Sequence, residues 1–89
     1  MNDHRKKPIR LTKHAREQCE ERGAIETEII EAIRSGEWEE AKNGRFMARL
    51  NLQYGRLWAG NIYPIKQVAP VFVVEESEIV VITVYTFYF

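Results

Sequence analysis

Cysteine is almost absent from this sequence, since Cys19 stands alone. A lone thiol closes no intramolecular disulfide. A secreted domain this small would usually need such staples, so a reducing cytoplasm is the expected setting. Cys19 falls in the middle of an expected helix, which favours a small buried hydrophobe over a catalytic thiol. His4 and His14 are the only histidines. No cysteine–histidine cluster therefore has metal-ligand spacing, and neither a metal nor another cofactor is expected. A phosphate-cradling glycine loop is also missing. Ser35 and Ser77 lie in turn contexts with no histidine nearby in sequence. These absences speak against zinc enzymes, nucleotide hydrolases and most serine hydrolases, while leaving metal-independent chemistry open. The longest apolar-rich run, residues 79–89, is too short to cross a membrane as a helix and reads as a strand. The polar, basic start has no apolar stretch behind it, so no signal peptide is expected. No internal repeat or low-complexity segment stands out.

What is present is the balance of a small globular domain, with 89 residues, 45% hydrophobic and 29% charged. The expected organisation is a flexible basic tail over residues 1–7 and one domain over residues 8–89 with a modest core. Formal net charge is zero, yet it is unevenly placed. Residues 1–16 carry +5, residues 17–40 carry −7, residues 41–66 carry +5 and residues 67–89 carry −3. Two basic segments flanking an acidic one permit a nucleic-acid face without a basic whole. Ordinary surface mixing accounts for the same pattern.

Residues 8–11 read as a short strand. Thr12 is a good N-cap, residues 13–22 contain no helix breaker, and Gly23 can close the helix in a left-handed conformation. Thr27 is an N-cap candidate for a second helix, in which Ile29, Ile30 and Ile33 form an apolar stripe ending at Gly36. Strands follow. Residues 38–42 form one, and Asn43-Gly44 is a strong hairpin turn. Residues 45–53 alternate, with Phe46, Ala48 and Leu50 on one face and Arg45, Met47 and Arg49 on the other. Tyr54-Gly55 marks a further turn. Pro64 and Pro70 each interrupt a ladder, so a loop or an edge strand is expected between them. Residues 71–74 and 79–87 make the last two strands, the final one apolar on both faces and so central. The expected fold is α+β, with two N-terminal helices packed on a twisted antiparallel sheet of four to five strands.

Three groups of residues can carry chemistry. His14, Gln18 and Arg22 follow one another at intervals of four and form a drifting stripe on one helix face, beside Lys13. An arginine there can hold phosphate oxygens bidentately, and a histidine can move a proton near neutral pH. A partly exposed histidine and an arginine paired to Glu21 or Glu26 would look the same in sequence. Arg45 and Arg49 share one strand face, and Arg56 and Trp58 share one face of the next strand. Basic groups interleaved with an aromatic suit single-stranded RNA, although Trp58 is better read as core packing. In the last strand Thr83 and Tyr85 share a face with Ile79, Val81 and Phe87. Their hydroxyls would approach His14 and Arg22 if the first helix crosses that strand.

The string Leu11-Thr12-Lys13-His14-Ala15, then Glu21-Arg22-Gly23, with Val80-Val81-Ile82-Thr83-Val84-Tyr85 near the end, resembles the domain-of-unknown-function family numbered 4258. The resemblance spans Ile9 to Tyr85 in the same element order. It implies a fold similar to that of barnase, the RelE toxins and colicin ribonucleases, which cleave RNA without a metal by attack of the 2′-hydroxyl on the adjacent phosphate. On that analogy His14 acts as general base or acid and Arg22 stabilises the phosphorane charge. Thr83 holds a phosphate oxygen or orients His14, and Tyr85 assists. The pattern departs at Gln18, where the family often has arginine. Arg16 lies about 200° round the helix from it and is no substitute. The neutral overall charge also departs from the strongly basic ribonuclease toxins.

Two functions follow as expectations. One is a ribonuclease-like toxin domain acting on RNA, in some settings on the ribosome, and silenced by an antitoxin-like protein. The other is a catalytically inactive protein- or RNA-binding module of the same fold, able to dimerise through a strand edge. Neither involves a membrane.

Overall fold

The computed structural model describes residues 6–89. The chain runs β1 (Ile9–Leu11), α1 (Lys13–Arg22), α2 (Glu26–Ser35), β2 (Glu37–Glu40), β3 (Phe46–Trp58), β4 (Asn61–Val74) and β5 (Ile79–Tyr88). The strands form one sheet in the order β1-β5-β4-β3-β2. The fold is α+β, with both helices near the N-terminus. The sheet is mixed rather than antiparallel throughout, because β1 pairs parallel to the start of β5. The expected tail falls mostly on residues outside the described ones. Of its last residues, Lys7 donates to the Glu75 carbonyl at 2.7 Å and accepts from Arg34 at 2.8 Å.

Local signals define α1. The Thr12 hydroxyl accepts from the Ala15 N–H at 3.1 Å, satisfying one orphan donor of the first turn. Gly23 closes the helix at φ 77°. A Cβ there would stand 2.6 Å from the Tyr88 hydroxyl oxygen and 2.8 Å from the Trp58 ring, so glycine is required by packing as well as by conformation. The N-cap of α2 is Ile25 and not Thr27. Glu28 explains the shift, since its carboxylate reaches back to the Ile25 N–H at 3.1 Å and stabilises an earlier start.

Both helices cover one face of the sheet. Ile29 and Ile33 of α2 meet Ala48, Val68 and Phe72, while Ala15 and Cys19 of α1 join Val81 and Val84 in the same core. Trp38 sits edge-on to Phe72 at 4.8 Å, and Phe46 lies 6.1 Å from it. The Trp38 indole N–H donates to the Ile33 carbonyl at 2.9 Å, so this large side chain packs half-buried on the core with its donor satisfied. Burying each such side chain contributes roughly 1.5–3 kcal/mol.

The sheet corrects several expectations. β2 ends at Glu40, and the turn after it has Asn43 at φ 60° and Gly44 at φ 71°. Tyr54-Gly55 is a bulge instead of a turn. Pairing moves from Gln53↔Ile65 to Arg56↔Tyr63, so two residues of β3 oppose Pro64 alone. The turn lies at Ala59-Gly60, both at positive φ, between the paired residues Trp58 and Asn61. Pro64 and Pro70 therefore belong to a long strand inside the sheet, between β3 and β5. Pro64 is tolerated at the bulge. At Pro70 the ladder to β3 lapses between Met47↔Val71 and Leu50↔Val68, as a missing N–H demands, while pairing to Val84 on the other side continues.

A second bulge governs the functional face. β5 pairs Val71↔Thr83 and then Phe72↔Val81, which leaves Ile82 as the extra residue. Simple alternation placed Ile79 and Val81 on the face of Thr83. The extra residue inverts the phase, so Ile79 and Val81 point into the core and Thr83, Tyr85 and Phe87 point to the face without helices.

Candidate functional site

Past Leu11, strand β1 ends and the outer edge of β5 would expose its backbone. Side chains of α1 occupy that edge. The Thr12 N–H donates to the Val81 carbonyl at 3.0 Å, and its hydroxyl donates to the Ile82 carbonyl at 3.3 Å. The Gln18 amide oxygen accepts from the Val84 N–H at 2.9 Å and from the Thr83 hydroxyl. Arg22 donates from its guanidinium to the Val84 carbonyl at 2.6 Å. In return, the Arg22 carbonyl accepts from the Thr86 and Tyr88 hydroxyls at 2.9 and 2.7 Å. Helix spacing of four matches this edge, so the stripe read from sequence becomes a seam between α1 and β5.

The seam brings together Gln18, Arg22, Thr83 and Tyr85. The Arg22 guanidinium carbon lies 5.2 Å from the centroid of the Tyr85 ring, within cation–π range. Only one of its N–H groups is used on Val84, and the remaining donors are available to an anion. His14 lies on the same helix, one turn before Gln18. It is exposed, and its side chain has no hydrogen bond or ion pair among the described residues. Lys13 is likewise exposed.

The helix-free face continues from the seam across the sheet. Tyr85 and Phe87 are 41% and 43% exposed there, on the part of β5 that β1 does not cover, so the strand expected to be central is an edge from Ile82 onward. Arg49 lies 5.8 Å from the Phe87 centroid. It is held by Glu39 at 3.3 Å and by Gln67 at 3.0 Å, and Gln67 in turn donates to Asn51 at 2.8 Å. Arg45 stands exposed next to the Asn43-Gly44 turn. A cavity of about 310 Å³ opens between that turn and β5, lined by Lys42, Arg45, Met47, Val71, Thr83 and Tyr85 among others. The face thus combines two aromatic rings with four cationic side chains.

Arg56 is not part of it. With Gly23, Glu28, Tyr54 and Lys66 it lines a separate cavity of about 350 Å³. Trp58 is also elsewhere, stacked on Tyr88 at 4.6 Å beside the α1 cap, which makes it a packing residue. Sequence reasoning missed Lys66, which is 5% exposed and ion-paired to Glu28 at 2.7 Å. Its ammonium also donates to the Gly23 carbonyl and lies 5.8 Å from the Tyr54 centroid. The signal was its phase: residue 66 alternates with Val68 and Phe72 on the helix-covered face. Nearby, burial raises the Cys19 thiol above its usual value, with Glu26 adding to the effect. Burial also raises the Tyr88 phenol, and that group is a hydrogen-bond donor here. Cys19 is therefore a protonated core residue and not a nucleophile.

Among the described residues no group of acidic, cysteine or histidine side chains could hold a metal ion, and no helix is long and apolar enough to cross a membrane. No curated protein and no solved structure matches the chain significantly. Residues 11–86, from the end of β1 to Thr86 beside the seam, match the family described as Domain of unknown function (DUF4258), and the chain belongs to that family.

Proposed function

We propose that this is a cytoplasmic ribonuclease-like domain of the toxin type, similar in fold to RelE and barnase, which takes single-stranded RNA on the helix-free face. The convergence of Gln18, Arg22, Thr83 and Tyr85 at one seam, on a helix that also carries His14, is the observation that carries this reading. Tyr85 and Phe87 offer surfaces for bases, and Arg22, Arg45 and Arg49 offer charge for phosphates. In the reaction, His14 accepts the proton of the 2′-hydroxyl, and the 2′-oxygen bonds to phosphorus. The bond from phosphorus to the 5′-oxygen breaks, and that oxygen takes a proton from the imidazolium or from water. A 2′,3′-cyclic phosphate and a 5′-hydroxyl result. The free donors of Arg22 face the charge that develops on the phosphorane. A silencing partner of antitoxin type would cover the same face. A strand-edge dimer would use β2, because the β5 edge is filled by α1.

The test is RNA cleavage with a chelator present, comparing wild type with His14→Ala. Loss of cleavage in the variant is expected. Unchanged cleavage would remove His14 from the mechanism.

A second reading is RNA binding without cleavage. It is favoured by the commitment of Arg22 and Gln18 to the chain's own backbone and by the lack, among the described residues, of a side-chain partner that orients His14. Wild-type protein that binds single-stranded RNA, leaves it intact and expresses without arresting growth would favour this second reading.

A further inference from the structure

Resting on the RNA reading above, we propose that the cavity between the Asn43-Gly44 turn and β5 is a subsite for one unpaired nucleotide. Its floor is built across three strands, since Met47 pairs with Val71 and Val71 with Thr83. Their side chains lie in a row on the helix-free face. Met47 and Val71 give that floor the apolar, polarisable surface on which a base packs. Tyr85 forms a wall, and the Arg22 guanidinium carbon lies 5.2 Å from the centroid of its ring. Thr83 spends its hydroxyl proton on Gln18, so its oxygen faces a ligand as an acceptor, suited to an exocyclic amine or a ribose hydroxyl.

Lys42 and Arg45 stand at the rim. Their backbones bond within the turn, where the Arg45 N–H donates to the Lys42 carbonyl at 3.3 Å, but neither side chain has a hydrogen bond or an ion pair among the described residues. They flank a turn in which Asn43 and Gly44 both have positive φ, and this tight reversal keeps the two cations on the same lip. The charge is uncompensated, unlike that of Lys66 in the second cavity, which Glu28 neutralises. An apolar floor, an aromatic wall, one acceptor and two free cations match a base, a ribose and a phosphate. A volume of about 310 Å³ suits a single nucleotide and not a base pair. The site therefore selects unpaired RNA next to the seam.

The full chain would be titrated by NMR at low salt with adenosine 5′-monophosphate, with inorganic phosphate as the control. Binding of a single-stranded decaribonucleotide and of its duplex would be measured in parallel. The nucleotide should saturate with shifts confined to residues 42–47 and 83–85, and the single strand should bind more tightly than the duplex. Lys42→Ala/Arg45→Ala should weaken nucleotide binding about tenfold or more. Because both residues are exposed, that variant keeps the fold. Met47→Trp, which fills the floor, should abolish binding. Phosphate binding as tight as that of the nucleotide would reduce the cavity to an anion site and overturn the proposal. A strand that binds while the nucleotide shifts nothing in the cavity would overturn it too, with the broader RNA reading intact. If neither RNA nor nucleotide binds, both readings fall.

Discussion

The two faces of the sheet are made by the same strands and obey different rules. On the covered face Phe72, Ile29 and Ile33 are fully buried, and Lys66, the one buried charged residue among those described, is paired with Glu28. On the open face Tyr85 and Phe87 remain well exposed, each with a guanidinium over its ring. Apolar burial dominates stability, so the covered face holds the domain together. Aromatic rings left in water contribute little to that, and their use must be sought in what they meet. The bulge at Ile82 creates the division, because it sends Val81 inward and Thr83 outward within two residues.

Truncation tests this contrast most strongly. Phe72→Ala should destabilise the domain by about 3–5 kcal/mol, since it empties the centre of the Trp38–Phe46 cluster. Phe87→Ala should stay within about 0.5 kcal/mol while weakening RNA binding. Urea unfolding of both variants checks the pair, and equal losses would erase the distinction between the faces. Glu28→Gln comes next. It strands the Lys66 ammonium in a nearly closed site and should cost about 3 kcal/mol. Glu28→Leu/Lys66→Met should recover most of that loss, again by urea unfolding, because a buried pair is replaced more easily than it is broken.

Much of this architecture was legible in the sequence, and the misses share a cause. α1 was read to the residue because Thr12, an unbroken run and Gly23 are local signals that agree. The inward set Phe46, Ala48 and Leu50 was legible for the same reason, since alternation belongs to one strand. A bulge belongs to two strands, and nothing in residues 79–87 alone reveals that Ile82 lacks a partner. Pro64 and Pro70 misled because proline removes one donor from one ladder, and only the neighbouring strand decides whether that donor was needed. At the candidate site, the Arg22–Tyr85 and Gln18–Thr83 encounters follow from helix spacing laid along β5. Arg56 reads from sequence as part of the basic RNA-binding set, yet it lines the other cavity, and the Gly55 bulge that separates it from Arg45 and Arg49 belongs to two strands. Gln18 was legible as a member of the α1 stripe and as a departure from the family pattern, but not as an acceptor for β5. The structure gives it a task that a guanidinium cannot perform, because it accepts two hydrogen bonds and arginine has no acceptor.

Gln18 therefore links the two faces, and its removal should have an intermediate effect. Gln18→Leu leaves the Val84 N–H and the Thr83 hydroxyl without their acceptor, which should cost about 1–3 kcal/mol. Hydrogen exchange should locate the loss, with the Val84 amide deprotected more than that of Val68. Uniform deprotection would mean that Gln18 supports the whole core rather than the seam.

The smallest effect expected belongs to neither face but to the end of the sheet where β1 meets β5. Arg10 on β1 donates to both carboxylate oxygens of Glu78 at 3.1 Å, just before β5 begins. Hydrogen bonding to Arg10 holds the Glu78 carboxyl below its ordinary value, against a smaller opposing effect of burial. A carboxylate with a lowered folded-state value binds fewer protons in the native state than in the unfolded one. Its contribution is thus complete above the ordinary carboxylate range and disappears as pH falls through the lowered value. Glu78→Gln should flatten that part of the acid side of the stability curve and leave neutral stability nearly unchanged, because the pair is exposed to solvent and screened. Thermal melts of both proteins from neutral pH into the acid range check this, at low and at high salt. An acid limb that keeps its slope in the variant would remove the Arg10–Glu78 pair as the source of that sensitivity.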